Sequence, residues 1–397
     1  MNNANFEVKN LAVIGAGTMG CGIAQAALLA NYNTTLVDLS KKIVDNGADK
    51  IKKGILKLES KGKLSEKTNV AKLVNQLTTS TDLDSAVKKI DFIIEAVPED
   101  LKIKQEVFKT LGNYAPEHAI FASNTSTLLI SKISESTNKP ERVIGMHFFL
   151  PPIFQCCVEV MRGQKTSDNA MNIGVQVGNS LPCFSGKRFT VRIEKDSIGF
   201  IANRLLIPPL IYINWIIDQA HQKGIPWEQI DADAGARTLM PMGPCELADY
   251  LGLDVNYKSM KIFEETRSPD FAPGRVLTNL VSEGKFGKKT GLGFYDWSSG
   301  KPNMNITKKA GLLNPEILLA IELNEGCKLL EEGIVSGYKI IDDVMLAGPG
   351  MPGPFSAGKH KYEQWSSMLE ELATNIGKNY LKPCELMKSG GFLKMRK

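Results

Sequence analysis

Several things are scarce in this chain, and each shortage excludes a class of protein. No CxxC pair occurs among its seven cysteines, and an odd number leaves at least one thiol without a partner in the chain. A disulfide framework is therefore not expected, and reduced thiols fit a cytoplasmic protein. Histidine is rare: His118, His147, His221 and His360 are the whole set, with no His/Cys cluster at ligand spacing, so no metal site is expected. Long apolar runs are missing too. The best, Leu205 to Ile217, is interrupted by Pro208, Pro209 and Asn214 and falls short of the roughly 18 residues of a membrane span. The apolar stretch from Leu11 to Ala30 carries glycines and Thr18 and follows no clean basic segment, so it reads as folded structure rather than a signal peptide. Lys and Arg outnumber Asp and Glu by only 48 to 43, too small an excess to imply nucleic-acid binding without a concentrated basic face.

What is present describes a globular chain of two or three domains: 397 residues, 43% hydrophobic and 23% charged. A short apolar run ending at Ile14 is followed by Gly15-Ala16-Gly17-Thr18-Met19-Gly20 and then by an Ala-rich, helix-compatible stretch to Ala30. Residues 34–38 form a second β-type run, which completes β-α-β. From Val44 to Leu58 the apolar positions Val44, Ala48, Ile51, Ile55 and Leu58 alternate steps of four and three, which predicts a helix with one buried face. Further β-type runs at 91–97, 119–122, 142–149 and 158–161, with helical patterns between most of them, indicate an α/β class: a Rossmann-type, doubly wound, mostly parallel sheet.

After about residue 195 the β signal fades. A helix is expected over 198–220, with Asp196 or Ser197 as its cap, and all-α domains from there on. This half repeats itself: Ile230-Asp231, Met240-Pro-Met-Gly-Pro244 and Phe271-Ala-Pro273 have a weaker echo in Ile341-Asp342, Met351-Pro-Gly-Pro354 and Tyr380-Leu-Lys-Pro383. The expected organisation is a dinucleotide-binding domain over 1–195, a helical domain over 196–297, and its divergent second copy over 312–397, with a linker near 296–314.

In Gly15-x-Gly17-x-x-Gly20 the first glycine permits a tight turn, the second lets backbone approach a pyrophosphate, and the third allows close helix packing. The helix N-terminus then stabilises the phosphates, with Ala16, Thr18 and Met19 completing the loop. Asp38 closes the next strand, where a carboxylate accepts from both ribose hydroxyls and repels a 2′-phosphate. That favours NAD, while Lys41 and Lys42 soften the repulsion and leave NADP open. Residues 41–72 hold ten lysines against four acids. A solvated helix face is the plain reading. The alternative, for residues 50–63, is a site for phosphate groups, with Lys61 as the candidate.

Ser123-Asn-Thr-Ser126, Arg142-Val-Ile-Gly-Met-His-Phe-Phe149, Val158-Glu159-Val160 and Gly199-Phe-Ile-Ala-Asn-Arg204 follow in order. With Pro241-Met-Gly-Pro244, Glu246-Leu-Ala-Asp-Tyr250 and Phe286-Gly-Lys-Lys-Thr-Gly-Leu-Gly-Phe-Tyr295, they make the chain resemble the 3-hydroxyacyl-CoA dehydrogenases over roughly residues 8 to 297. The region after about Asn314 looks like the second helical copy of longer family members. The resemblance puts the catalytic pair on His147 and Glu159. The chemistry agrees, because oxidising a 3-hydroxyl needs a base near neutral pH, and imidazole supplies one. A carboxylate between Val158 and Val160 is also costly unless paired. By the same resemblance Ser126 and Asn203 hold the substrate oxygen and thioester, and Glu99, Lys104, Ser126 and Lys289 contact the cofactor. The plain alternatives are a satisfied strand-end histidine for His147, a helix-preceding serine for Ser126 and a solvated asparagine for Asn203.

Implied are NAD as cofactor, an acyl-CoA thioester as substrate in fatty acid oxidation, and reversible conversion to the 3-oxoacyl form. Short family members dimerise through the helical domain, and a second copy leaves either a homodimer or an internal pseudo-dimer open. Two other readings stand beside this one: a dehydrogenase of a free β-hydroxy acid, and a non-catalytic NAD-binding homologue. The latter is raised by a departure, since Leu150 stands where the family has an asparagine beside the nicotinamide. The family's serine-type coenzyme A contact falls at Gly54.

Overall fold

The computed structural model describes residues 7–236 and 241–397, so Met240 of the expected repeat lies outside the described residues. Two compact units emerge. The first comprises residues up to Phe200 together with Asp343–Met351, and the second Ile201–Asp342 with Pro352–Lys397.

The first unit runs β1 (Asn10–Ile14), α1 (Thr18–Leu29), β2 (Asn33–Val37), α2 (Lys41–Ser60), α3 (Val70–Asn75), β3 (Leu77–Ser80), α4 (Leu83–Ala86) and β4 (Phe92–Glu95). It continues with α5 (Leu101–Tyr114), β5 (Ile120–Ser123), α6 (Ile130–Ser134), β6 (Val143–Phe148), β7 (Cys157–Arg162), α7 (Asp168–Ser180) and β8 (Phe189–Ile193). The eight strands form one sheet in the order β3-β2-β1-β4-β5-β6-β7-β8. Every neighbouring pair is parallel except β6–β7. Strands β1, β4 and β5 are apolar on both faces, as a sheet covered by helices on both sides requires. The predicted amphipathic helix is α2, with Val44, Ala48, Ile51, Ile55 and Leu58 buried. Because β1, β4, β5 and β6 are parallel, their carboxyl ends share one edge of the sheet. The glycine turn after Ile14, Glu95, Ser123 and His147 all lie along it.

The second unit is helical and holds both copies. The first is α8 (Ala202–Gln222), α9 (Trp227–Asp233), α10 (Pro244–Leu251), α11 (Leu253–Thr266) and α12 (Arg275–Ser282). The second is α13 (Pro315–Glu331), α14 (Tyr338–Ala347, of which the part from Asp343 belongs to the first unit), α15 (Pro354–Gly358), α16 (Tyr362–Ile376) and α17 (Glu385–Ser389). A shared device gives the repeated motifs their physical meaning. Asp231 accepts from Cys245 N and Glu246 N at the start of α10, and Asp342 accepts from Phe355 N and Ser356 N at the start of α15. A Cβ on Gly243 would lie 2.4 Å from Asp231 Cγ and one on Gly353 2.2 Å from Asp342 Cγ, so each copy needs glycine there.

Within this unit α8 packs on α13, and Phe271 and Tyr380, from the matching motifs, lie with ring centroids 4.8 Å apart. One expectation changes. Asp196 does not cap α8, which begins only at Ala202 because Gly199 and Phe200 adopt φ of 78° and 54° and interrupt the helix. Asp196 instead accepts from Ile130 N and Ser131 N at the start of α6.

Glu322 on α13 is 3% exposed and its Oε2 has no hydrogen-bond partner among the described residues. Burial pushes the carboxyl up from 4.5 to about 8. The folded state therefore keeps a proton that the unfolded chain has released, and stability falls as pH rises from about 4.5 toward 8. Glu322→Gln keeps the shape without the titration. Urea unfolding is expected to find the variant about 2–4 kcal/mol more stable than the parent at pH 8 and nearly equal at pH 4. Equal stability at both pH values would count against the assignment.

Candidate active site

Gly15 has φ 105°, and a Cβ there would lie 2.6 Å from Ala96 O on the neighbouring strand's exit. One on Gly20 would lie 1.8 Å from Gly15 O, so the turn and the first helical turn touch backbone to backbone. A Cβ on Gly17 would meet nothing within 4 Å. The first and third glycines are thus used up by packing, while the second faces open space at the start of α1. That helix has neither a side-chain cap nor an acid in its first turn, an arrangement that fits a pyrophosphate. Asp38 is half-buried at the end of β2; Oδ2 accepts from Ala16 N at 2.7 Å and Oδ1 from Leu39 N at 2.8 Å. It braces the glycine turn.

Two strands over, the carboxyl edge carries a linked set of charges. Glu95, fully buried at the end of β4, accepts from Val97 N, from Ser123 Oγ at 2.6 Å and from Lys104 Nζ at 2.7 Å. Lys104 also lies 3.4 Å from Glu99 Oε2. Glu99 Oε1 in turn gathers Thr125 Oγ1 at 2.6 Å, Ser126 N at 3.0 Å, and Thr127 N and Oγ1 at 3.0 and 2.9 Å. Burial alone would raise the Glu99 carboxyl, but Lys104 and the threonine hydroxyls outweigh it and hold it below the usual range. Sequence reasoning expected Lys104 to touch the cofactor directly. It is 1% exposed with its ammonium turned to Glu95 and Glu99, so here it anchors Glu99 and the Ser126 loop from behind. Glu95 was missed, although a carboxylate closing an apolar strand signals a buried partner by the same reasoning that singled out Glu159.

His147 and Glu159 face each other across β6 and β7, the antiparallel pair. The distance from His147 Nδ1 to Glu159 Oε2 is 2.6 Å, and the residues are 6% and 0% exposed. Direct opposition in register puts both side chains on one face of the sheet. Phe149 lies edge-on to the imidazole at 4.8 Å between ring centroids, and Phe200 lies at 5.3 Å. Asn124, from the same loop as Ser126, accepts from Phe148 N at 3.0 Å and ties that loop to β6. The end of α14 and the residue after it support the far side: Cys156 N donates to Ala347 O at 3.1 Å, and a Cβ on Gly348 would lie 2.7 Å from Phe149 Cζ. Neither contact is legible in the sequence, which places these residues almost two hundred positions apart.

Leu150 is 51% exposed immediately after this strand. Lys61 is exposed at the C-terminus of α2, and a Cβ on Gly54 would lie 2.8 Å from the Gln25 amide. In the helical unit, Asn203 is half-buried on the first turn of α8, and Lys289 Nζ lies 2.5 Å from Asp254 Oδ1. The aromatic segment that follows Lys289 serves packing: Asp249 accepts from Phe294 N, Tyr295 N and Trp297 Nε1, and Tyr295 Oη donates to Asp231. Among the described residues no group of three or more His, Cys, Asp or Glu side chains is arranged to hold a metal ion, and no helix is long and apolar enough to cross a membrane.

A parallel sheet with a glycine turn at one strand's exit, an acid closing the next strand, and a buried histidine–carboxylate pair on the same edge defines a dinucleotide-dependent dehydrogenase. Residues 10–191 match the model of the 3-hydroxyacyl-CoA dehydrogenase NAD-binding domain, and residues 199–297 that of the 3-hydroxyacyl-CoA dehydrogenase C-terminal domain. The mitochondrial hydroxyacyl-coenzyme A dehydrogenase of Sus scrofa is 38% identical over 73% of this chain and 91% of its own. A probable 3-hydroxybutyryl-CoA dehydrogenase of Bacillus subtilis is 36% identical over 74% of this chain and 98% of its own. The chain belongs to the 3-hydroxyacyl-CoA dehydrogenase family. The crystal structure of a 3-hydroxybutyryl-CoA dehydrogenase from Escherichia coli K12 is similar along nearly the whole length, with a TM-score of 0.81, 25% identity and coverage of 98% and 99% of the two chains. That similarity includes the second helical copy.

Proposed function

We propose that the protein catalyses the reversible NAD-dependent oxidation of 3-hydroxyacyl-CoA to 3-oxoacyl-CoA, with His147 as base and Glu159 as its positioning partner. The family membership supports the reaction class, and the 2.6 Å pair on β6 and β7 carries the residue assignment. With Nδ1 turned to Glu159, the imidazole offers Nε2 to the 3-hydroxyl and takes its proton; the buried carboxylate stabilises the imidazolium that results. NAD, when bound, supplies the hydride acceptor for C3. In the reverse direction the same imidazolium returns the proton to the 3-oxo oxygen. Ser126, held by Glu99, hydrogen-bonds the substrate oxygen, and Asn203 holds the thioester. Gly15, Gly17, Gly20 and Asp38 hold the dinucleotide together with Glu99, while Lys104 acts through Glu99. Lys61 meets the coenzyme A phosphates, and Lys289 adds a cofactor contact.

NADH formation from 3-hydroxybutyryl-CoA, compared with that from free 3-hydroxybutyrate, tests the substrate class. Turnover confined to the thioester is expected, and turnover confined to the free acid would overturn the reading. Leu150→Asn restores the family's polar side chain at an exposed site and is expected to raise kcat about fivefold, the equivalent of one hydrogen bond of about 1 kcal/mol. An unchanged or lower kcat would show that the native leucine costs the reaction nothing.

A further inference from the structure

Two thiols outside the proposed chemistry face each other beside the catalytic strands. Cys156 precedes β7, and Cys183 lies in the turn after α7, 27 positions on; their sulfurs are 2.8 Å apart. Both are half-buried free thiols, as is Cys384, whereas Cys21, Cys157, Cys245 and Cys327 are buried. Nothing in dehydrogenation calls for this pair.

The surroundings hold the two sulfurs in place. Arg188 binds carbonyls on both thiol-bearing segments: Pro152 at 2.9 Å and Gln155 at 2.6 Å on one, Leu181 at 3.1 Å and Pro182 on the other. Phe184 N donates to Ile153 O and Phe189 N to Cys156 O, both at 2.9 Å. The segments are thus cross-tied on either side of the sulfurs. Bringing the thiols together costs no large backbone rearrangement, the usual obstacle to forming a disulfide within a folded chain.

We propose that Cys156 and Cys183 form a dithiol modification site that a peroxide oxidises to a reversible disulfide. Burial, and then the hydrogen bond with Cys183, push the Cys156 thiol up to about 11. One sulfur of the pair, as thiolate, displaces hydroxide from hydrogen peroxide: the O–O bond breaks, an S–O bond forms, and a proton from solvent carries the hydroxide away as water. The other sulfur then attacks the sulfenic sulfur, forming the S–S bond as the S–O bond breaks, and its own proton leaves with the hydroxide as a second water. Overall, two thiols and one peroxide give one disulfide and two waters, and a dithiol reductant reverses the change by two electrons. Because Cys156 stands three residues before Glu159, the site reports oxidation next to the proposed catalytic strand. It is independent of the reaction assigned above.

The test is graded hydrogen peroxide on the full-length protein, followed by intact mass and a non-reducing peptide map. Expected are a loss of two mass units, a single Cys156–Cys183 linked peptide, and full reversal by dithiothreitol. Cys183→Ser is expected to abolish the link. Sulfinic acid at either cysteine without a link, a link formed first between Cys327 and Cys384, or no reaction at peroxide levels that oxidise exposed thiols would each overturn the proposal.

Discussion

Replacing His147 with glutamine is expected to lower kcat by about 10²- to 10⁴-fold while NAD binding changes little. Glutamine fills much of the same space between Phe149 and Phe200 and can still donate to Glu159, so the buried carboxylate keeps a partner and the fold is spared. Alanine would confound the result, because Glu159, at 0% exposure, would lose the His147 donor that helps offset its burial. Glu159→Gln should lower kcat as well, since a neutral amide neither fixes one imidazole tautomer nor stabilises the cation formed as the proton moves. Steady-state NADH formation gives kcat, and calorimetric titration of the dinucleotide gives the binding constant. A His147→Gln enzyme turning over within a few-fold of the parent would falsify the assignment of the base.

The second large effect lies in the helical unit. Glu325 on α13 is wholly buried and surrounded by cations: Arg204 Nε at 2.9 Å, Arg267 Nη1 at 2.9 Å and Lys328 Nζ at 2.7 Å. Burial alone would raise its carboxyl, but Lys328, Arg204 and Arg267 together outweigh that and hold it well below the usual carboxylate range. Glu325→Ala removes the one carboxylate that meets all three, and Arg204 is itself only 3% exposed. The expected loss is about 3–5 kcal/mol, the scale on which a buried pair fails when one partner is deleted. The sign of the pH dependence follows from the lowered value. The contribution is complete above the unfolded carboxyl's pKa and is lost only as pH falls on through the lowered folded value, so at pH 4 the gap should narrow by about 1 kcal/mol without closing. Urea titrations at pH 7 and pH 4 check both points; equal midpoints at pH 7 would remove the cluster from the account of stability.

Much of the site could be read from the chain because it is built from local patterns. The glycine turn, the strands that end in Asp38 and His147, and the Ser126 loop each depend on a few consecutive residues, so periodicity and motif located them. Glu159 was legible for a different reason, since a charge inside an apolar strand predicts its own partner. Glu95 offered the same clue in a shorter run. Strands β3 and β8 left weaker traces: β3 is a polar edge strand, and β8 has only two buried positions. Longer-range features left none. The Arg188 ties, Ala347 behind Cys156, Gly348 against Phe149 and the convergence on Glu325 all join residues that only tertiary packing brings together. The repeat was visible at its Asp and Gly-Pro positions, because those carry the cap and the close approach. The packing of the two copies against each other was left as one of two alternatives, because apolar helix faces read alike whatever they meet.

The Glu325 cluster also sets the two helical halves apart. Helix α8 carries a single acid, Asp218, which serves the start of α12, so the charges converging on α13 have no mirror image in the first copy. Between two identical subunits each inherited change is felt on both sides of the axis at once. Once both halves are encoded in tandem, each can drift alone, and a lopsided ionic knot becomes heritable where symmetry would have forced two.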